Sequence, residues 1–142
     1  MAHRLGIVGL AFKAKKLAAG DQAVTDAVAD KRARLICTAV DASERVIDGA
    51  RRMPERCNGL YVDTPFTRAE FGQALGLAEC GIIAFLDPGF AWSFGKRLYE
   101  IDKARYGALL EALEFRKDRA EHRRAKKHSG GTRGNQARGG RK

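Results

Sequence analysis

Few side chains in this sequence are placed for covalent chemistry. Asp41 and Asp87 each follow an apolar run, Arg34 to Val40 and Gly81 to Leu86, where α/β enzymes often hold a catalytic carboxylate. The same position suits a helix N-cap, whose side-chain oxygen accepts a backbone N–H of the first turn. Glu44 three residues after Asp41, and Pro88 directly after Asp87, favour the capping role. Cys37, Cys57 and Cys80 are an odd number at wide spacing, without a CxxC pair or a Cys/His cluster. That pattern argues against a zinc site or a disulfide framework and for reduced, partly buried thiols. His3, His122 and His128 lie near the termini without a partner at ligand spacing, so we expect them to face solvent. Lys13, Lys15 and Lys16 cluster within four residues, either as a solvated helix end or as a site that neutralises phosphate. Neither a dinucleotide or nucleotide glycine loop nor a nucleophile–base pair is present. We therefore expect a protein that is not an enzyme and needs no cofactor or metal.

The elements that must carry these residues alternate between helical and extended character. Apolar residues from Leu5 to Ala14 recur at helical spacing and predict a helix over 3–16, with Gly6 and Gly9 allowing a close neighbour. Lys16 to Ala19 is a short extended segment, and Asp21 is the expected N-cap of a second helix containing Val24, Ala27 and Val28. Arg34 to Val40 reads as a strand covered on both faces. A third helix spans Ser43 to Arg56, opened by Asp41 and Glu44 as a capping box. Leu60 to Val62 is the next strand, and Thr67-x-x-Glu70 caps a fourth helix that ends at Gly76. Gly81 to Leu86 is the last strand, and Asp87-Pro88 starts a helix through Phe90, Phe94, Leu98 and Ile101. Trp92 lies on that helix, where partial core burial competes with a role as partner anchor. Tyr106, Leu109, Leu110 and Leu113 extend an apolar stripe past an expected break at Gly107. This order predicts an α/β three-layer α-β-α sandwich on a small mixed four-stranded sheet, followed by a C-terminal helical extension. The expected organisation is a domain over 1–100, a helical extension over 101–127 and a disordered Gly/Arg-rich tail over 128–142.

Charge is unevenly distributed. The 142 residues carry 27 Lys+Arg against 17 Asp+Glu, a net of +10. Residues 116–142 hold 11 basic and 2 acidic side chains, so the preceding 115 residues are almost balanced at +1. A near-neutral body with a cationic arm is the expected design. No run of 18 uncharged apolar residues occurs, and the apolar stretch at Leu5 to Phe12 ends in lysines. We therefore expect neither a membrane span nor a secretory signal, and a cytoplasmic location.

Six landmarks in order carry a resemblance. They are Leu-x-x-x-Gly-Leu-Ala-x-Lys-Ala (Leu5 to Ala14), Lys16-Leu17-x-x-Gly20, Ala33-Arg-Leu-Ile, Asp41-Ala-Ser43, Thr67-x-x-Glu70-Phe-Gly-x-x-Leu75-Gly and Asp87-Pro-Gly-Phe-Ala91. Over about residues 4–98 the chain resembles the kink-turn-binding ribosomal proteins of the L-seven-Ae type, and most of all their small bacterial YlxQ-type members. The resemblance implies the sandwich fold and a non-enzymatic role in binding structured RNA, in a ribosomal or translational setting. It places RNA at the start of the second helix and at the loop between the last strand and last helix. The implied contacts are Lys13, Lys15, Lys16, Gly20, Asp21, Gln22, Phe85 and Leu86, with Lys16, Gly20, Gln22 and Leu86 on one connected surface. Kink-turn binders carry Gly-(Thr/Ala)-Asn-Glu and then a nearby Lys; this chain has Gly20-Asp21-Gln22-Ala23 and Asp26. Gln22 keeps an amide, whereas Ala23 cannot accept from a guanine and Asp26 carries the charge of the RNA backbone itself. The expected partners are RNA and, through an alternative role as a ribosome-associated or assembly factor docking by its long C-terminal helix, ribosomal proteins. A monomer is favoured.

Overall fold

The computed structural model describes the backbone of residues 5–133 and the side chains of residues 5–126. Its elements run α1 (Gly6–Lys13), β1 (Leu17–Ala19), α2 (Asp21–Ala29), β2 (Leu35–Thr38), α3 (Glu44–Arg52), α4 (Pro54–Cys57), β3 (Leu60–Asp63), α5 (Arg68–Leu75), β4 (Ile82–Phe85), α6 (Pro88–Ile101) and α7 (Lys103–Arg133). The strands form one sheet in the order β1-β4-β2-β3. β4 lies antiparallel to both β1 and β2, whereas β2 and β3 are parallel. The mixed four-stranded sheet expected from the sequence is present.

Period-two alternation sends each strand's side chains to opposite faces. Leu17, Leu35, Cys37, Val62, Ile83 and Phe85 meet Val8, Phe71, Phe94 and Leu98 in one core cluster. Ala18, Ile36, Ile82 and Ala84 meet Val24, Ala27, Val28 and Ala50 in another. Both clusters are apolar because β2 and β4 are interior strands, buried along their whole length. α1, α5, α6 and α7 cover one face and α2, α3 and α4 the other, so the sandwich has three layers.

Local chemistry sets most of the helix boundaries. The Thr67–Glu70 capping box is complete, and Gly76 ends α5 in the left-handed conformation. Asp87 caps α6 by accepting the Phe90 N–H at 3.0 Å, with Pro88 at the first helical position. Gly9 lets α1 approach α5, since a β-carbon there would lie 3.0 Å from the Ala74 carbonyl oxygen.

Three sequence expectations are corrected. α2 is capped by Gly20, not Asp21, which lies inside the first turn. The cap of α3 is Ser43, which accepts from Val46 N–H; Asp41 instead accepts the Arg68 N–H of α5 at 2.8 Å. The break between the last two helices falls at Asp102, in extended conformation, and Gly107 is an ordinary residue of α7. Asp102 stops the chain there because its carboxylate caps the next helix, accepting the Arg105 N–H at 3.1 Å.

α7 folds back along α6. Gly95 admits it: a β-carbon at that position would run into the Leu113 side chain. Tyr106 and Leu113 are buried, and the Tyr106 hydroxyl donates to the Asp63 carbonyl at 3.0 Å, tying α7 to the end of β3. Residues 128–133 continue the backbone of α7, and the rest of the expected tail lies outside the described residues.

Phe94 is fully buried between Phe66 and Phe85, with centroid distances of 6.2 and 5.0 Å. Urea denaturation of Phe94→Ala should show a loss of about 3–5 kcal/mol, against about 1 kcal/mol for the cap variant Thr67→Ala. Burial, reinforced by Asp63 and Asp102, pushes the Tyr106 phenol up to about 12 against a weaker opposing pull from Arg105. An unfolded tyrosine titrates near 10, so the fold favours the neutral phenol. That contribution is complete below about pH 10 and disappears as pH rises through about 12. Urea midpoints measured from about pH 9 to 12 should fall more steeply for the wild type than for Tyr106→Phe.

Candidate nucleic-acid interface

The β1–β4 ladder decides which candidate residues can act together. Leu17 pairs with Phe85, Ala18 with Ala84 and Ala19 with Ile83. Beyond one end of the ladder, Leu86 N–H donates to the Lys16 carbonyl at 2.8 Å; beyond the other, Gly20 N–H donates to the Ile82 carbonyl at 2.9 Å. Lys16 and Gly20 are therefore four residues apart on extended chain, about 13 Å. The expected single surface through Lys16, Gly20, Gln22 and Leu86 is corrected to two sites at opposite ends of the sheet.

The lysine end gathers Lys13, Lys15, Lys16 and Leu86. Lys13 closes α1, where the negative end of the helix dipole favours positive charge. Lys15 turns the chain in the left-handed region at φ 63°, and the Lys16 N–H donates to the Ala11 carbonyl. All three lysines are exposed. Leu86 is half-buried against the core on the α2 side. Phe85 is removed from the expected rim: its ring has no solvent exposure and stacks on Phe94, because the inward face of β4 falls at that residue.

The glycine end is built from three segments. Gly20 adopts φ 94° and ψ 163°, a region essentially restricted to glycine. It starts α2 without a side-chain cap, so the first-turn amides are left to an outside acceptor. The loop after α5 lies beside it. There the Cys80 Sγ donates to the Ile82 carbonyl at 3.2 Å, and burial raises its thiol pKa while Gly20 and Ile82 backbone hydrogen bonds oppose the rise. The third segment follows β2, where Ala39 N–H donates to the Gly81 carbonyl and Val40 N–H to the Phe66 carbonyl. Val40 and Leu77 are 59% and 49% exposed, two apolar side chains turned to solvent on loops at the same end of the sheet as the start of α2.

Charge at this end is matched. Arg45 pairs with Asp21 at 3.6 Å, and Arg68 with Asp41 and Glu79 at 3.6 and 3.1 Å. Gln22 donates its side-chain N–H to Asp26 at 3.0 Å, which leaves its carbonyl oxygen outward as an acceptor. Asp87 is thus occupied as the cap of α6, and Asp41 by the backbone N–H and guanidinium of Arg68. Among the described residues, no group of three or more His, Cys, Asp or Glu is arranged to hold a metal ion, and no helix is long and apolar enough to cross a membrane.

Sequence reasoning missed Val40, Leu77 and the loop after α5. The available signal was the pair Gly76 and Gly81, which brackets a short loop on the approach to β4. Which end of the sheet that loop reaches depends on strand order, and strand order is a long-range property.

No family model matches the chain. The fold is similar to that of a protein of unknown function from Bacillus halodurans C, with a TM-score of 0.62 and 23% identity, covering 69% of this chain and 98% of that one. RNA-binding protein YlxQ of Bacillus subtilis (strain 168) is 30% identical over 89 residues, which span 60% of this chain and 84% of that protein. That extent of shared sequence, on the sandwich described above, places the chain in the YlxQ family.

Proposed function

We propose that this protein binds folded RNA of the kink-turn type in a ribosomal or translational setting, as a cytoplasmic protein without catalytic activity. The observation that carries the proposal is the uncapped start of α2 at Gly20, at the sheet end whose loops also carry exposed Val40 and Leu77. Backbone amides at a helix start are hydrogen-bond donors to phosphate or to base acceptors. Apolar side chains beside them give an unstacked base a surface to lie on. Bases exposed in this way occur at bulges and kinks rather than within regular duplex, whose deep groove side chains cannot read. The name borne by the Bacillus subtilis relative supports the same polymer.

The recognition chemistry is mainly shape and hydrogen bonding, since the nearby arginines are already paired with carboxylates. Gln22 takes the place of the family's asparagine and presents its carbonyl oxygen, its amide being engaged by Asp26. The alternative of docking on protein through the long C-terminal helix loses its motive. The stripe through Tyr106, Leu109 and Leu113 is spent on the protein's own core.

A kink-turn duplex should bind more tightly than a regular duplex of equal length and charge in a filter-binding titration. Val40→Asp and Leu77→Asp should each weaken kink-turn binding by at least about tenfold, through like-charge repulsion of the phosphates. Equal affinity for the two duplexes would refute kink-turn selectivity. Unchanged binding by both variants would move the site away from the start of α2.

A further inference from the structure

We propose that the groove at the lysine end of the sheet, between α7 and the loops before β2 and β3, is a second RNA-binding surface that grips phosphodiester backbone. It rests on the RNA-binding reading above but occupies the opposite end of the molecule.

The groove is lined by Arg34, Asn58, Phe115, Arg116, Arg119 and Arg123, with parts of α6 and small side chains of α7. Four guanidinium groups share it, and among the described residues no carboxylate lines it. Arg32, Arg45, Arg68, Arg97 and Arg105 each pair with an acidic side chain, whereas Arg51, Arg52, Arg56 and Arg124 lie unpaired but outside the groove among the described residues. Among the described residues, none of the four groove arginines forms an ion pair, and like charges gathered in this way favour an anionic ligand.

α7 arranges the concentration of charge. At 100° per residue, Arg116, Arg119 and Arg123 fall within an arc of about 60°. Glu111, Glu114, Asp118 and Glu121 fall roughly opposite, and Lys117 pairs there with Asp118 and Glu121. The acids of α7 are thus turned away from the groove. Arg116 is fixed in place, donating to the Asn58 carbonyl.

The chemistry selects RNA over an acidic polypeptide. Planar guanidinium forks match phosphate oxygens in bidentate geometry. Phe115, 62% exposed, holds the Arg119 guanidinium 5.7 Å from its ring centroid, an arrangement on which an unpaired base can stack. An acidic peptide offers charge for the forks but no base for the ring.

The test uses the full chain and three probes: a kink-turn duplex with a single-stranded uridine tail, the same duplex without the tail, and poly-glutamate. Arg34→Gln, Arg119→Gln and Arg123→Gln combined should lower affinity for the tailed duplex by at least about tenfold near 50 mM salt. The slope of log affinity against log salt should fall by about 2. Phe115→Ala should remove most of the gain contributed by the tail. Trp92, the only tryptophan, lies between Lys96 and Lys117 at 5.2 and 5.0 Å, so its fluorescence reports whether α7 stays docked in each variant. Ultraviolet crosslinking of the tailed duplex to the wild type, which needs no variant, should label residues 115–123.

Unchanged affinity and slope in the triple variant, while Leu77→Asp still weakens binding, would overturn the groove and leave the α2 site standing. Crosslinks confined to the glycine end would do the same. Poly-glutamate competing as well as RNA at equal charge would make the groove a site for acidic polypeptide and overturn the proposal. Wild-type protein that binds neither duplex at low salt would overturn both readings.

Discussion

The antiparallel insertion of β4 between β1 and β2 is the constraint on which the rest of the structure depends. It makes β4 a fully covered strand, so Ile82 to Phe85 are all buried, as an interior strand with helices on both faces requires. It also joins distant segments in fixed pairs, residue 16 with residue 86 and residue 20 with residue 82. A slip of one residue in that register would turn Ile83 and Phe85 out of their core and Ala84 into it. The separation of exposed lysines from the bare start of α2 is therefore set by core packing, independently of any ligand.

The α6–α7 hairpin adds a second constraint. α6 has 14 residues and α7 has 31, so two antiparallel helices that meet at Asp102, near the glycine end, differ in length by about 25 Å. The shorter helix starts at the lysine end, and the longer one must overrun it there. Packing of Tyr106 and Leu113 fixes the rotation of α7, and that rotation decides which of its later residues face the sheet. Helical periodicity carries the choice forward from Leu113, so that Arg116 and Arg123 lie on the inner side and Glu114 and Asp118 on the outer. The apolar half of α7 thus orients the charged half.

Features whose partners lie within four residues were legible in the sequence. Thr67 and Glu70 cap each other across three positions, and Asp87 finds Phe90 at the same distance. Asp41 has the same local signature, yet its partner is Arg68, 27 positions away. Ser43 stands nearer the start of α3 and takes the donor that Asp41 would have used. The four strands were legible from apolar runs, but their order was not, and the candidate site failed on that point. Lys16 and Gly20 are neighbours in sequence and stand apart because the residues between them are extended. Phe85 was misread for a related reason. An apolar residue at a strand end looks the same in sequence whether it points inward or outward, and only the register with Leu17 and Leu35 decides.

The two ends of the sheet differ in the physics they offer. At the glycine end every arginine near α2 has a carboxylate partner, so attraction depends on amide geometry and falls off within hydrogen-bond distance. At the lysine end, cations on α1, on the segment before β2 and on α7 stand with few acids among them, and their field reaches outward by about a Debye length, near 8 Å in physiological salt. A short-range site discriminates shape, because a misplaced acceptor loses its hydrogen bond entirely. A long-range site captures and retains a polyanion with little regard to sequence. Placing lysines beside Gly20 would have drawn any phosphate onto the shape-reading amides and weakened that discrimination. On the proposed reading, keeping them at the far end of the β1–β4 ladder would let capture and recognition act on different parts of one folded ligand.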